Sequence, residues 1–118
     1  MPDTKTYTGS CHCQKVRFEV SAKIDSAMAC NCSICSRVGW LMTSVEPAHF
    51  KLHSGADAQT DYQFGKHMMH HTFCTTCGVH AFGTYEKDGA NKVIVNLRCL
   101  EGLDVEGLKV QTFDGKSY

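Results

Sequence analysis

A mainly β fold is what this sequence predicts: a single compact domain over residues 1–118, built of many short antiparallel strands held by metal crosslinks. Three observations predict it. Short runs with strand-type alternation recur along the chain, helical periodicity is scarce, and the cysteines fall in tight groups. The clearest strand is Val16-Arg17-Phe18-Glu19-Val20, where apolar and charged residues alternate as a half-buried strand requires. Further strands are expected over residues 40–45, 60–64, 68–73, 79–85, 92–97 and 108–113. Each is short, partly β-branched or aromatic, and bounded by turn residues. Asp88-Gly89 reads as a hairpin connection between two of them. Residues 33–38 and 47–50 could each form one helical turn, too short for a stable amphipathic helix.

A chain of 118 residues fits one domain and can bury a single core. A sheet of short strands has limited core, so crosslinks would stabilise it. Lys plus Arg and Asp plus Glu are 12 each, so there is no basic surplus to mark a nucleic-acid footprint. The first ten residues are polar and lack the apolar stretch of a secretory signal. No run of about eighteen apolar residues suggests a membrane span. A cytoplasmic protein is therefore expected. Reducing cytosol makes a chain with 8 Cys a metal binder rather than a disulfide scaffold.

The cysteines form four groups: Cys11 and Cys13; Cys30, Cys32 and Cys35; Cys74 and Cys77; and Cys99 alone. Residues i and i+2 of an extended strand share a face, so Cys11 and Cys13 can aim both sulfurs at one ion while His12 points away. Cys74-Thr75-Thr76-Cys77 converges two more at a turn, and Gly78 tolerates the positive φ in which such a turn often ends. Structural zinc takes four protein ligands and closes its coordination sphere. Cys11, Cys13, Cys74 and Cys77 are expected to form that site.

Cys30-Asn31-Cys32-Ser33-Ile34-Cys35 offers three thiolates within six residues. A catalytic zinc has three protein ligands and an open position for water or substrate. Two alternatives stand beside the open site. Cys99, a His or an Asp could complete it, or Cys11 and Cys13 could pair with part of the middle cluster. If seven cysteines bind as thiolates, two Zn²⁺ ions add four positive charges against seven negative ones. The folded protein would then be more acidic than the sequence pI of 7.0 implies.

The remaining candidates do less. His70 and His71 should face opposite sides of a strand, in surface or supporting roles. His49, His53 and His67 carry no ligand spacing. His80 could donate to a zinc-bound sulfur or simply pack. Cys99 reads as an inert, partly buried thiol, although Arg98 beside it could lower its pKa and make it reactive. Trp40 and the Phe residues are core candidates. Arg37 is either a solvated charge or an anchor for a ligand carboxylate.

Gly9-Ser10-Cys11-His12-Cys13 with residues 16–20, Cys30-Asn31-Cys32-Ser33-Ile34-Cys35-Ser36-Arg37, and His71-Thr72-Phe73-Cys74-Thr75-Thr76-Cys77-Gly78-Val79 are three ordered motifs. Together with Phe113-Asp114-Gly115 near the end, they resemble the glutathione-dependent formaldehyde-activating enzyme family, whose domain the centromere protein V group shares. The resemblance implies two zinc ions. Cys11, Cys13, Cys74 and Cys77 would hold a structural one, and Cys30, Cys32 and Cys35 a catalytic one. It also implies a β-rich fold like that of B-type methionine sulfoxide reductases. The implied reaction condenses formaldehyde with glutathione to S-hydroxymethylglutathione, a carbon–sulfur lyase in reverse. Gln14 stands where members often have Gly, a departure that bears on the local turn alone.

The chemistry also has an independent argument. A zinc ion with three thiolates would accept a thiol at its open position and lower the thiol's pKa. Three thiolates donate much charge to the metal, which favours thiol activation over carbonyl polarisation. Two rivals are a non-enzymatic zinc module that binds a thiol or a protein, and a thiol redox enzyme using Cys99. Saturable glutathione binding without turnover marks the first. Loss of activity in Cys99→Ser with zinc retained marks the second.

Overall fold

Alternation sets the strand pattern. In the computed structural model, which describes residues 5–63, 69–87 and 90–114, the strands run β1 (Lys5–Ser10), β2 (Arg17–Ala22), β3 (Ser26–Cys30), β4 (Met42–Val45) and β5 (Phe50–Ser54). They continue through β6 (Gln59–Tyr62), β7 (Met69–Cys74), β8 (Phe82–Lys87), β9 (Ala90–Asn96) and β10 (Lys109–Phe113). The one α-helical turn among the described residues, α1 (Cys35–Val38), lies inside the segment read as helical, and Pro47–His49 forms a 3-10 turn. The expected hairpin at Asp88-Gly89 lies outside the described residues, as do Phe64, His67, Met68 and Gly115.

Three strands pair in the order β1-β2-β5, and seven in the order β10-β3-β4-β9-β8-β7-β6. All pairings are antiparallel except one. β10 runs parallel to β3, with Lys109 opposite Ser26 and Phe113 opposite Cys30, a parallel pair among the many antiparallel ones expected. A parallel pair needs a long crossover, and here most of the chain separates the two strands. β1, β3 and β5 were not anticipated. β1 is polar and β3 is built of small residues. β5 does alternate, with Phe50 and Leu52 packed on the core.

Successive strand residues point to opposite faces, and the large sheet uses both. Val93 and Val95 of β9 join a core with Phe18, Val20, Phe82 and Leu97, between the two sheets. Phe18, Phe50 and Phe82 form its aromatic centre, with ring centroids 4.7–5.9 Å apart. Gly9 is required here, because a Cβ would lie 2.5 Å from the Phe18 ring. Ile94, between the two valines, faces the other way and packs with Cys35, Trp40 and Met42. Each face of the sheet thus carries one cysteine group, the first bordering Cys11 and Cys74, the second Cys35.

Gln14 has φ 69°, the positive-φ position occupied by a residue other than glycine among those described. Side chains disfavour that region by about 1–2 kcal/mol. Its exposed contact from Arg17, 3.2 Å, offsets little of this. Gln14→Gly is expected to raise unfolding free energy by roughly 0.5–1 kcal/mol, after the extra unfolded-state entropy of glycine. Chemical denaturation of the metal-loaded protein measures it, and an unchanged or lower midpoint would contradict the strain argument.

Candidate metal centres

The Cys11–Cys13 pair is presented by a turn rather than by an extended strand. β1 ends at Ser10, the Cys11 N–H donates to the Val16 carbonyl at 3.1 Å, and the Gln14 N–H to the Cys11 carbonyl at 3.2 Å. The sulfurs still converge, Cys11 Sγ to Cys13 Sγ being 3.6 Å, and His12 is exposed. The second pair starts on the last residue of β7. The Gly78 N–H donates to the Cys74 carbonyl at 2.8 Å, and Gly78 has φ 80°, as the turn was expected to need. Lys15 Nζ donates to Thr76 Oγ1 at 3.1 Å and ties the two turns together.

All four sulfurs lie within 4.8 Å of one another, with Cys13 Sγ 3.5 Å from Cys74 Sγ. A tetrahedron of sulfurs about 2.3 Å from zinc has edges of about 3.8 Å, so the set fits the ion. The spacing is far beyond a disulfide bond of about 2.05 Å, and all eight cysteines are free thiols. Backbone N–H groups also point at sulfur, Val16 to Cys11 at 3.4 Å and Cys77 to Cys74 at 3.5 Å. Such donors favour thiolate over thiol.

Four thiols this close cannot all ionise without a cation. Cys77 and Cys13 illustrate the two outcomes. Burial pushes the Cys77 thiol up, but backbone donors at Cys13 and Val79 and the thiols of Cys11 and Cys74 outweigh it and bring it to about 6. Backbone hydrogen bonds from Cys77 likewise lower Cys74. Cys13 is raised to about 11: a backbone donor at Lys15 lowers it, and burial with the three neighbouring thiols overrides that. A divalent cation reverses this competition and lets all four deprotonate.

Cys30 ends β3, Cys32 sits in the following loop and Cys35 opens α1, and their sulfurs also lie within 4.8 Å of one another. The loop is held at both ends. The Asn31 N–H donates to the Phe113 carbonyl at 3.1 Å and Asn31 Nδ2 to Asp114 Oδ1 at 3.1 Å, so the parallel β10 clamps the residue between two of the cysteines. The Ser36 N–H donates to the Cys32 carbonyl at 3.0 Å, and the Cys35 N–H points to Cys32 Sγ at 3.4 Å. Gly39, with φ 74°, closes the helical turn through its N–H to the Cys35 carbonyl. The donor set is soft, compact and tripodal, which suits zinc. No fourth Cys, His, Asp or Glu joins this group among the described residues.

Burial pushes the Cys35 thiol up to about 12, opposed by the Trp40 indole N–H. That contact falls short of a well-formed hydrogen bond and leaves Trp40 Nε1 buried without another partner. Burial also raises Cys30. In Cys32 the effect of burial is outweighed by backbone donors at Cys35 and Ile34 and by both neighbouring thiols, so its thiol is lowered.

The other candidates separate clearly. Cys99 belongs to neither group, is partly buried, and is raised to about 11 by burial and by the charges of Cys11 and Cys77. Arg98, expected to be able to activate it, pairs instead with Glu106 at 3.8 Å. His70 pairs with Asp61 at 2.7 Å, whereas His71 is buried, and burial followed by the charge of His80 lowers its pKa. His80 packs against Phe73 at 5.3 Å and Trp40 at 6.3 Å, off any strand. His53 pairs with Glu19 at 3.2 Å. Sequence reasoning missed Tyr62, which reaches a groove beside the three-cysteine loop from β6, a long-range approach with no local signal.

Fold and sites together define a mainly β protein with two thiol clusters that could hold metal. The family model of the glutathione-dependent formaldehyde-activating enzyme matches residues 6–113, and the chain belongs to that family. Among solved structures it is similar to the crystal structure of a Rhodobacter sphaeroides protein, a structural-genomics target, with TM-score 0.78 and 29% identity over 88% of this chain and 99% of that one. No helix among the described residues is long and apolar enough to cross a membrane.

Proposed function

We propose that this chain is a zinc-dependent carbon–sulfur lyase-type enzyme of the cytoplasm that adds a thiol, glutathione, to formaldehyde or a related small aldehyde. Two zinc ions serve it. Cys11, Cys13, Cys74 and Cys77 hold a structural one, and Cys30, Cys32 and Cys35 a catalytic one. The observation that carries this reading is the three-sulfur group with no fourth protein ligand among the described residues, in a chain of this family.

Zinc, when bound there, supplies a position at which a thiol is acidified and kept nucleophilic. The chain's part is to hold and shape that position. Cys30, Cys32 and Cys35 supply three charges from one short loop, anchored through Asn31 to β10. The Cys35 N–H spreads charge away from Cys32 Sγ, and Trp40 with Ile94 walls off the Cys35 side from water. In the reaction the thiol sulfur forms a bond to the aldehyde carbon while the C=O π bond opens. The thiol's proton ends on the new hydroxyl, and the reverse direction breaks the C–S bond.

The raised Cys99 thiol disfavours the redox rival. The binding-module rival is separated by turnover. Zinc-loaded protein mixed with glutathione and formaldehyde should form S-hydroxymethylglutathione faster than the uncatalysed reaction, as followed by NMR. Saturable glutathione binding with no acceleration over a panel of thiol–aldehyde pairs would leave a binding module instead.

A chelator series gives a further expected result. An open site exchanges ligands more readily than a closed one, so one zinc should leave at lower chelator concentration, with the fold retained. The second should leave only with unfolding. Metal content and circular dichroism on the same samples check this, and simultaneous loss of both ions would contradict two unlike sites.

A further inference from the structure

A groove of about 260 Å³ lies against the three-cysteine loop, lined by Ser33, Ile34, Arg37 and Tyr62. Ser33 and Ile34 are the two residues between Cys32 and Cys35, so the loop that carries the thiols is also a wall of the groove. The groove would take a short arm of a ligand rather than a large molecule. Arg37 lies two residues beyond Cys35 in α1, exposed, and its Nη1 donates to the Ser33 carbonyl at 2.7 Å. That bond fixes one corner of the guanidinium and leaves the other N–H groups of its planar fork to face a ligand. Arg37 has no carboxylate partner among the described residues.

Charge says what the arm should be. Three thiolates and one Zn²⁺ leave a formal charge of −1, and a bound substrate thiolate makes it −2. A thiol that also carries carboxylates is repelled by that site unless a cation lies beside it. Arg37 is a cation on the same helical turn as Cys35, and a guanidinium matches a carboxylate in two parallel hydrogen bonds.

We propose that the groove of Ser33, Ile34, Arg37 and Tyr62 is the specificity subsite for the substrate thiol, in which Arg37 binds a carboxylate of glutathione. This rests on the thiol reading of the three-cysteine site. Ile34 and the Tyr62 ring flank the arm, and the Ser33–Arg37 bond orients the fork. Arg37 selects carboxylate-bearing thiols over neutral ones and touches no reacting atom.

S-Methylglutathione separates this inference from the reading beneath it, because its thioether cannot supply a thiolate to zinc. The zinc-loaded full chain is titrated with S-methylglutathione and with its diethyl ester, for wild type, Arg37→Gln and Arg37→Lys. Arg37→Gln should weaken S-methylglutathione about tenfold, and Arg37→Lys should fall between it and wild type. The diester should bind wild type and Arg37→Gln alike, and added salt should weaken the wild-type complex alone. Equal binding of S-methylglutathione by wild type and Arg37→Gln, or none by wild type, would overturn the subsite. Sulfur coordination by 2-mercaptoethanol, read on the metal, tests the thiol reading separately. If no thiol ligates zinc while the Arg37 effect persists, that reading fails and the carboxylate subsite stands.

Discussion

Cys74→Ser is expected to leave the chain unfolded or insoluble. Cys74 closes β7, is buried, and lies 3.5 Å from Cys13 across 61 residues of sequence. A closed zinc site here would join the turn after β1, from the three-stranded sheet, to the turn after β7, from the seven-stranded one. Structural zinc in small domains contributes about 10 kcal/mol or more of apparent folding free energy. Whole domains are stable by only about 5–15 kcal/mol. Losing the ion therefore removes most of the margin, and the core of short strands around Phe18 cannot replace it. Cys99→Ser is the matched control. It alters a partly buried thiol outside both groups and should keep full zinc content and nearly full stability. Metal analysis per chain and denaturant unfolding distinguish the two, and a Cys74→Ser protein with normal stability and full zinc would refute the four-cysteine assignment.

Cys32→Ser should have the opposite profile: one zinc lost, thiol-dependent activity abolished, fold intact. Cys32 sits in a loop beside α1, and the loop's attachment to β10 runs through Asn31 rather than through the metal. The four-cysteine site would still tie the sheets together. Removing one of three thiolates leaves two protein ligands, too few to retain zinc in competition with buffer and chelator. Metal content near one ion per chain, an unchanged circular dichroism spectrum and background-level product formation are expected. Retention of both ions with full turnover would remove the three-cysteine loop from the chemistry.

Much of this was legible because the cysteine spacing is local. Cys74 to Cys77 is one turn, Gly78 carries its positive φ, and Cys30 to Cys35 is one loop, so short-range geometry suffices to place each group. β2 was visible through alternation, since it presents one side to the core, and β9 through its β-branched run Val93-Ile94-Val95, which is buried on both faces. The convergence of Cys11 and Cys13 was anticipated for a reason that does not hold, because a turn rather than a strand brings them together. Gln14 in the left-handed region marks that turn. The parallel β3–β10 pair was invisible because nothing local encodes a partner 83 residues away, the separation of Asn31 and Asp114. Tyr62 was missed for the same reason, and His71 because alternation within β7 could not say which face the fold buries.

X-ray absorption at the zinc edge, with and without glutathione, tests the central claim most directly. The account predicts four sulfurs at one site and three at the other, an average of about 3.5 per zinc, rising to about 4 when glutathione fills the open position. The same rise should be absent in Cys32→Ser, which lacks the receiving ion. An average of four sulfurs before glutathione and no change after it would make the three-cysteine group a second closed clamp and contradict the catalytic reading.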